Sequence, residues 1–278
     1  MKVGIIGLGA MGLGMARRLA NAGFLAGVYN RTSEKMAEFT VTHYAQPEAL
    51  AADMDVIVLC VSADKDVLEM VDAIATTIKP NAIVIDTSTV SSETAQQAAA
   101  CLVKQHAAFL DAPVSGGVEG AKNGTLSMMV GGDAAVLDRV RPVLTCMTAR
   151  IIHIGATGSG QATKAVNQIM CAGINQAVTE ALAFAEAQQL PMAKVIEVIS
   201  GGAAGNWFLD HRGLTMTQGE FSTGFKLALH HKDLKIAELM AAQAGVATPL
   251  AEMTITDYEQ LMREGYGDED ISALYRLK

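Results

Sequence analysis

The strongest constraint on the fold is a glycine-rich turn near the start of the chain. Residues 7–12 carry the G-x-G-x-x-G spacing between an apolar, strand-like run (3–6) and a segment of helical composition (11–22). In that setting the first glycine permits a tight turn, the second lets the backbone approach a diphosphate, and the third lets helix and strand pack closely. We therefore favour a dinucleotide-binding turn at the positive end of a helix over an ordinary glycine-rich turn.

Strand-like and helix-like segments alternate through the first half of the chain. Continuous apolar runs at 56–61 and 82–85 are typical of strands buried on both faces. The pattern also predicts helices, including one that starts at residues 32–34, and the remaining helical segments are 66–78, 93–106 and 134–144. This alternation predicts an α/β domain in which a mostly parallel sheet carries helices on both faces.

The second half has a different character. After a Gly-rich turn cluster at 155–160 the sequence contains no convincing strand. Helices are predicted over 161–189, 192–199, 232–244 and 249–263, with a loop at 206–208 and a solvated turn at 268–270. We therefore predict a dinucleotide-binding domain at residues 1–157 and an all-helical domain at residues 158–278.

Composition narrows the class of protein. Half of the 278 residues are hydrophobic and 18% are charged, which supports a sizeable core. The formal net charge of −8 argues against a general nucleic-acid or membrane-surface binder, and the apolar runs are only strand-length. Four scattered cysteines form no Cys-x-x-Cys pair, so we expect a cytoplasmic protein with no metal site.

The end of the second predicted strand indicates which dinucleotide binds. Nicotinamide dinucleotide sites usually place an acid here, on the ribose 2′-hydroxyl. This chain has Asn30, Arg31 and Thr32 instead. Arg31 can form paired hydrogen bonds with a 2′-phosphate, and its neighbours can donate further ones. We predict NADP as the cofactor, with NAD as the alternative. Arg31 could also be a surface arginine that contacts no cofactor.

Two further segments carry candidate substrate contacts. Ser115, Gly116 and Gly117 follow a predicted strand end and can hold a carboxylate through a hydroxyl and backbone N–H groups, although a long turn explains them equally well. On the helix that follows, no residue from 165 to 179 is charged. Its polar side chains share one face, which predicts a polar cavity or, alternatively, a solvated stripe; they are Lys164, Asn167, Gln168 and Asn175.

Together these segments resemble the β-hydroxyacid dehydrogenase family, which includes 3-hydroxyisobutyrate dehydrogenases and semialdehyde reductases. Four motifs carry the resemblance in family order: 7–12, 111–117, 158–167 and 232–234. The family implies a Rossmann-type domain followed by an all-α domain, and commonly a homodimer or homotetramer. The cofactor contacts that it implies are Gly7, Leu8, Gly9, Ala10, Met11, Gly12, Asn30, Arg31, Thr32, Val61, Ser62, Thr89 and Lys232.

The resemblance also implies a mechanism. Lys164 matches the catalytic lysine, which exchanges a proton with the substrate oxygen while the nicotinamide exchanges a hydride. The pKa of a free lysine is about 10.4, so burial and a second cation must lower it for this role. The substrate contacts implied are Ser115, Gly116, Gly117, Asn167, Gln168 and Lys232. Many members have a second asparagine where this chain has Gln168, so either Asn167 or Gln168 is the candidate that orients the reacting oxygen.

The sequence therefore predicts an NADP-preferring oxidoreductase that interconverts a small β-hydroxyacid and its semialdehyde or keto acid. A non-catalytic NADP-binding sensor is the alternative from another class, and Lys164, Ser115 and Lys232 count against it. An imine reductase is a second alternative, although those enzymes usually lack the lysine. The partner expected is a small carboxylated aldehyde or hydroxyacid, whose identity the sequence does not give.

Overall fold

The computed structural model describes all 278 residues, which form two compact units, Met1–Lys164 (unit 1) and Ala165–Lys278 (unit 2). The boundary between the units falls within one long helix, which begins at Ser159 and ends at Ala187. The domain boundary predicted from sequence lies just before this helix and stays a prediction.

Unit 1 contains all nine strands, in one sheet. They are β1 (Val3–Ile6), β2 (Leu25–Tyr29), β3 (Thr42–His43), β4 (Val56–Leu59), β5 (Ile83–Asp86), β6 (Ala108–Asp111), β7 (Val114–Ser115), β8 (Leu126–Gly131) and β9 (Thr148–Gly155). The strand order is β3-β2-β1-β4-β5-β6-β8-β7, with β9 paired to β8. The first six strands in this order, β3-β2-β1-β4-β5-β6, are parallel to one another, and β8 runs antiparallel to β6.

Helices lie between the strands of unit 1. They are α1 (Ala10–Asn21), α2 (Pro47–Asp53), α3 (Asp64–Ala75), α4 (Ser92–Val103), α5 (Gly117–Asn123) and α6 (Ala134–Leu144), and the long helix α7 (Ser159–Ala187) starts in this unit. Unit 2 consists of the rest of α7 with α8 (Met192–Ser200), α9 (Trp207–Thr217), α10 (Leu227–Gln243) and α11 (Pro249–Arg263).

The sheet is covered on both faces, which explains why its strands are apolar throughout. Along β4, Val56 and Val58 belong to one buried cluster, whereas Ile57 and Leu59 belong to another. Side chains alternate between the two faces of a strand, so the two clusters are the two sides of one sheet. The α/β class predicted from the alternation of elements is confirmed.

The strand order places the glycine turn at a special point of the sheet. The chain runs from β1 outward through β2 to β3, and β4 then pairs with β1 on its opposite side. In open parallel sheets a ligand binds beyond the carboxyl ends of the strands where the order reverses. Residue 7 directly follows β1, so the glycine turn lies at that reversal.

Unit 2 is helical, as predicted. Its core contains the fully buried side chains of Leu234, Tyr258 and Leu274, from α10, α11 and the C-terminal 3₁₀ segment Ile271–Leu277. The only strand-like pairing is an isolated bridge between Lys226 and Asp270. In neither unit does a helix combine the length and the apolar character needed to cross a membrane.

Three local predictions were wrong. The helix predicted from residue 32 is only a 3₁₀ turn, Ser33–Met36, because the β-branched residues that follow lead into β3. The loop predicted at 206–208 is the start of α9, where the Asn206 side chain accepts a hydrogen bond from the Leu209 N–H. The acidic turn is not solvated throughout, since Asp270 is 1% exposed and pairs with Arg212.

Candidate functional site

The glycine turn, residues 7–12 (the glycine loop), has the close backbone contacts that its spacing predicts. Gly7 has φ +99°, and a Cβ there would lie 2.2 Å from the Cys60 carbonyl oxygen. A Cβ on Gly12 would lie 2.0 Å from the Gly7 carbonyl oxygen, so only glycine lets α1 approach the turn this closely. A Cβ on Gly9 would meet no atom within 4 Å. The glycine loop is therefore tight towards the protein and open at its middle residue.

That opening fits a diphosphate. Gly9 precedes α1 without any side-chain cap, so the first N–H groups of the helix point towards the loop without an intrahelical partner. No acidic residue occupies the first turn of α1. A groove of about 440 Å³ runs beside the loop, and its lining residues are Leu8, Gly9, Ala10, Leu13, Glu34, Lys35 and Glu38. Of the other predicted contacts in the loop, Met11 is half-buried against the core.

The segment after β2 is attached to the glycine loop through a side chain. Asn30 accepts a hydrogen bond from the Leu8 N–H at 2.7 Å through Oδ1, and its Nδ2 donates to the Thr32 carbonyl at 2.8 Å. Arg31 is 74% exposed and its guanidinium lies 3.3 Å from Asp66. The structure therefore brings Asn30 against the loop and leaves Arg31 and Thr32 at the surface beside it.

The remaining predicted cofactor contacts of unit 1 lie after β4 and β5. The Val61 N–H donates to Ser88 Oγ at 3.0 Å, which links the two strand ends, and Ser62 is exposed. Thr89 is half-buried between two residues that contact Gln161. The Gln161 side chain donates to the Ser88 carbonyl at 2.9 Å and accepts from the Val90 N–H at 3.2 Å. Gln161 thus connects this turn to the start of α7.

A buried carboxylate fixes the start of α7 from the other side. Asp111, at the end of β6, accepts hydrogen bonds from the N–H groups of Gly158 at 2.8 Å and Gln161 at 3.0 Å. Burial raises the pKa of this carboxyl group, and the same N–H groups oppose that change. A Cβ on Gly160 would lie 2.6 Å from the Asp111 carbonyl oxygen, so glycine is required for this close packing.

Lys164 projects from α7 towards the segment that carries Ser115. The side chain is 7% exposed, and its Nζ donates to the Val114 carbonyl oxygen at 2.9 Å. Val114 and Ser115 form β7, Gly116 follows with φ +132°, and Gly117 starts the short helix α5. The Nζ atom of the predicted proton-transfer residue is therefore hydrogen-bonded to the residue that directly precedes the predicted carboxylate-binding segment.

In unit 2, the predicted substrate residues form a chain of hydrogen bonds. Gln168 donates from Nε2 to Asp233 Oδ2 at 2.6 Å, and Asn167 donates from Nδ2 to Gln168 Oε1 at 2.7 Å. Lys232 Nζ lies 2.9 Å from the other Asp233 oxygen. Unit 2 thus brings Asn167, Gln168 and Lys232 together through Asp233.

Asn175 does not belong to this polar group. It is fully buried, and its Nδ2 donates to the Tyr258 hydroxyl at 3.0 Å and to the Ile271 carbonyl at 2.8 Å. The prediction that it faces a polar cavity was wrong, because α11 and the C-terminal 3₁₀ segment pack against this turn of α7, and the Asn175 amide joins α7 to both.

Three residues of these networks had no role assigned from sequence: Asp111, Gln161 and Asp233. Asp111 was part of a recognised motif, and an acid that directly follows an apolar strand is a signal for a buried structural carboxylate. Asp233 was also part of a recognised motif, residues 232–234, but the sequence analysis assigned a role only to its lysine. Gln161 gave no signal, because a glutamine in the first turn of a helix is ordinary.

Comparison with protein families matches nearly the whole chain. Residues 2–155 match the model described as the NAD-binding domain of 6-phosphogluconate dehydrogenase. Residues 158–278 match the model described as the NAD-binding domain of NADP-dependent 3-hydroxyisobutyrate dehydrogenase.

Individual relatives match most of the chain or nearly all of it. The 2-hydroxy-3-oxopropionate reductase of Escherichia coli is 36% identical over 250 residues, which are 88% of this chain and 85% of that protein. The structure of Mycobacterium tuberculosis 3-hydroxyisobutyrate dehydrogenase with L-serine superposes with a TM-score of 0.91 at 31% identity, covering 99% of this chain and 98% of the other. Psf3 in complex with NADP⁺ and 2-OPP superposes with a TM-score of 0.90 at 25% identity, covering 99% of each chain.

Proposed function

Because the chain belongs to the β-hydroxyacid dehydrogenase family, it is an NAD(P)-dependent oxidoreductase, and we propose that it interconverts a small β-hydroxyacid and its semialdehyde or keto acid. The observation that carries the proposal is the Lys164 amine, which is buried and hydrogen-bonded beside Ser115. A bound nicotinamide cofactor supplies or accepts the hydride in this reaction.

Lys164 has the proton-transfer role. In the reductive direction its ammonium group donates a proton to the oxygen that becomes the hydroxyl, and in the oxidative direction its neutral amine accepts that proton. The hydrogen bond to Val114 fixes the position of Nζ, and Asp111 fixes the helix start from which the side chain projects. A positioned amine loses less entropy at the moment of reaction than a mobile one.

The substrate carboxylate is the ligand of Ser115, Gly116 and Gly117. The Ser115 hydroxyl and the backbone N–H groups around residues with positive φ can all donate hydrogen bonds, which suits an anion. Lys232 adds a positive charge, and Asn167 and Gln168 belong to the part of the site that contacts the rest of the substrate. This assignment follows the family and is supported by the hydrogen-bonded grouping of these residues within each unit.

NADP is the cofactor that we propose, held by the glycine loop and by Arg31. The open Gly9 position and the uncapped N–H groups at the start of α1 suit the diphosphate. Arg31 and Thr32, exposed beside the loop, are the groups that would hold the 2′-phosphate, with Arg31 leaving its ion pair with Asp66. The NADP⁺ complex of Psf3 supports this choice.

A substrate panel tests the function. Glyoxylate, succinic semialdehyde, tartronate semialdehyde and methylmalonate semialdehyde, each with NADPH and with NADH, are assayed for cofactor oxidation, and the corresponding alcohols are assayed in reverse. We expect oxidation of NADPH by at least one of these carboxylated aldehydes and a lower rate with the matching aldehyde that lacks the carboxylate. Binding of NADPH without oxidation by any member of the panel would indicate the sensor alternative. Turnover of cyclic imines alone would indicate an imine reductase.

We also propose that the protein works in the reducing cytosol as a homo-oligomer. None of the four cysteines forms a disulfide bond. In unit 2, the apolar helix α8 buries none of its residues, and Val198 on it is 73% exposed. A second copy of the chain that covers such a surface removes it from water. Light scattering across a dilution series measures the oligomeric state, and a monomer at every concentration would contradict this proposal.

A further inference from the structure

The hydrogen-bonded chain Asp233–Gln168–Asn167, which we call the amide relay, has a direction that chemistry determines. Gln168 is 1% exposed and Asp233 is 5% exposed, so bulk water does not satisfy these groups instead. Asp233 also forms an ion pair with Lys232 at 2.9 Å through its second oxygen. A carboxylate only accepts hydrogen bonds, so Gln168 must turn its NH₂ group towards Asp233.

The orientation of Gln168 in turn fixes that of Asn167. With its NH₂ group on Asp233, Gln168 presents Oε1 to its neighbour, and Asn167 must donate from Nδ2 across the 2.7 Å contact. Nδ2 of Asn167 also points at Cys171 Sγ, 3.6 Å away. The amide NH₂ group of Asn167 is therefore used within unit 2, and Oδ1 is the polar atom of this side chain that remains to meet a ligand. The relay makes Asn167 a hydrogen-bond acceptor rather than a donor.

The length of Gln168 is what allows the relay. An asparagine at this position is shorter by one C–C bond, about 1.5 Å, and cannot reach both Asp233 and Asn167 without movement of the helices. The glutamine that departs from the common family pattern is thus the residue that connects Asp233 to Asn167 in this chain.

Asn167 lies close to the proposed reacting group along the helix. It follows Lys164 by three residues in the continuous helix α7, a separation of about 5–6 Å between Cβ atoms. If Lys164 acts on the oxygen at C3 of a 3-hydroxy acid, as in the function proposed above, an acceptor one turn away is suited to the substituent on the neighbouring carbon, C2.

We propose that the amide relay makes Asn167 an acceptor for the C2 substituent, so that the enzyme prefers 3-hydroxy acids with a hydroxyl or ammonium group at C2 over those with a methyl group or hydrogen. A site arranged to accept a hydrogen bond leaves its oxygen unsatisfied when the donor is replaced by a methyl group, and this loss discriminates strongly between ligands of equal size.

Four substrates that differ only at C2 test the proposal: glycerate, serine, 3-hydroxyisobutyrate and 3-hydroxypropionate, each enantiomer separately where C2 is chiral. Oxidation is followed with NADP⁺ and with NAD⁺. Hydroxyl and methyl are nearly equal in size, so we expect kcat/KM for the better enantiomer of glycerate to exceed that of 3-hydroxyisobutyrate by about 10-fold or more. A ratio of one or less in the wild-type protein would overturn the proposal.

Variants of the relay show whether the preference comes from the orientation of Asn167. A hydroxyl at C2 can accept as well as donate, whereas an ammonium group only donates, so the ratio of kcat/KM for serine to that for 3-hydroxyisobutyrate (the serine ratio) reports the orientation of Asn167. Gln168→Met keeps the length of the side chain but removes its polar groups, so Asn167 can turn over and the serine ratio should fall to within about 3-fold of unity. In Asp233→Asn, Lys232 retains the oxygen and the new NH₂ group faces Gln168, which reverses every donor in the relay. Asn167 would then donate, which a C2 hydroxyl can still accept but a C2 ammonium group cannot, so the serine ratio should fall at least as far. An unchanged serine ratio in both variants would refute the mechanism.

The chain provides a matched control on the same helix. Gln176 is also buried and donates from Nε2 to an aspartate, Asp257, at 2.7 Å, but it does not contact Asn167. Gln176→Met should therefore leave the serine ratio unchanged while causing a similar loss of thermal stability. A ratio that falls equally in Gln176→Met would show a general loosening of unit 2 and would also overturn the proposal.

The experiment separates this inference from the proposed function on which it rests. Turnover of the series without a preference at C2 contradicts the amide relay alone. Failure of all four acids with both cofactors, in a protein that still binds NADP⁺, contradicts the proposed function and the relay with it.

Discussion

Unit 1 and unit 2 hold their candidate site residues by different means. The glycine loop of unit 1 is shaped by its backbone, where a Cβ on Gly7 or Gly12 would lie about 2 Å from a carbonyl oxygen. The amide relay of unit 2 is shaped by side chains, with one hydrogen bond of 2.6 Å that joins α7 to α10 and one of 2.7 Å between neighbours on α7. The glycine loop depends on the absence of Cβ atoms at its glycines, whereas the amide relay depends on hydrogen bonds between polar side chains.

This difference determines how each site responds to substitution. A backbone turn tolerates no added atom where the chain approaches itself, so a single methyl group there disturbs the whole local fold. A side-chain relay can turn over or break while the helices that carry it remain packed, because their apolar contacts are separate from it. We therefore expect large, general effects from the glycine loop and selective effects from the relay.

The largest effect tests whether the loop is shaped by sterics alone. Gly12→Ala should abolish NADPH binding and destabilise unit 1, because its Cβ would lie 2.0 Å from a backbone oxygen. Gly9→Ala is the matched control, since its Cβ meets no protein atom within 4 Å. We expect Gly9→Ala to keep the wild-type melting temperature and to weaken NADPH binding at least about 10-fold, because the methyl group would occupy the approach of the diphosphate. Nucleotide fluorescence and thermal melting measure both, and wild-type affinity in Gly9→Ala would contradict the assignment.

The next effect tests whether a side chain at the edge of the loop selects the cofactor. Arg31→Asp replaces charge-assisted hydrogen bonds to a 2′-phosphate with repulsion, so NADPH affinity should fall about 10–100-fold while NADH affinity changes less than about 3-fold. Arg150→Asp, at another exposed arginine of unit 1, serves as the control for general charge effects. Equal losses for both cofactors would show that Arg31 does not contact the 2′-phosphate.

A smaller effect separates two asparagines on α7. Asn175→Leu leaves a buried tyrosine hydroxyl and a backbone carbonyl without their donor, which should lower the free energy of unfolding by about 2–4 kcal/mol without changing kcat at temperatures where the protein stays folded. Asn167→Leu removes a single donor, from Gln168 Oε1, so it should cost less stability, about 1–2 kcal/mol, but should reduce activity. Denaturant melts measure the stability of both variants, and steady-state rates measure their activity. A reduced kcat in folded Asn175→Leu would show that Asn175 belongs to the functional site.

The smallest effect concerns a side-chain contact in unit 1. Burial by itself raises the pKa of Asp64, but the hydrogen bonds that Ser91 and Thr94 donate to it together outweigh burial and hold the pKa below its usual value. Asp64 therefore stabilises the fold above the usual aspartate range, and this contribution is lost as the pH falls through its lowered pKa. Asp64→Asn should cost about 1 kcal/mol at pH 7 and less near pH 3. A cost that grows on acidification would contradict this sign.

The elements that could be predicted from sequence are those with a strong local pattern. The strands with continuous apolar runs were found, and α6 and α11 have the predicted bounds, because amphipathic periodicity and caps mark them. The short helices α2 and α5 were missed, since seven residues contain too few turns for a period, and α5 starts from glycines that resemble a loop.

The candidate site divides in the same way. The glycine loop is predictable because its contacts are made within a few residues, and the motif for Lys164 lies within one turn cluster and helix start. The relay was not predictable, because its direction depends on Asp233 meeting a side chain from residue 168. The wrong prediction for Asn175 has the same origin, because helical spacing gives a shared face but not what packs against each turn.

The central claim is that the Lys164 amine transfers the proton, and single-turnover kinetics of Lys164→Ala test it most directly. Using the best aldehyde from the panel, we expect the rate of NADPH oxidation to fall about 10²–10⁴-fold, NADPH affinity to stay within about 3-fold of the wild type, and added ethylamine to restore part of the rate. Oxidation at the wild-type rate in this variant would contradict the account.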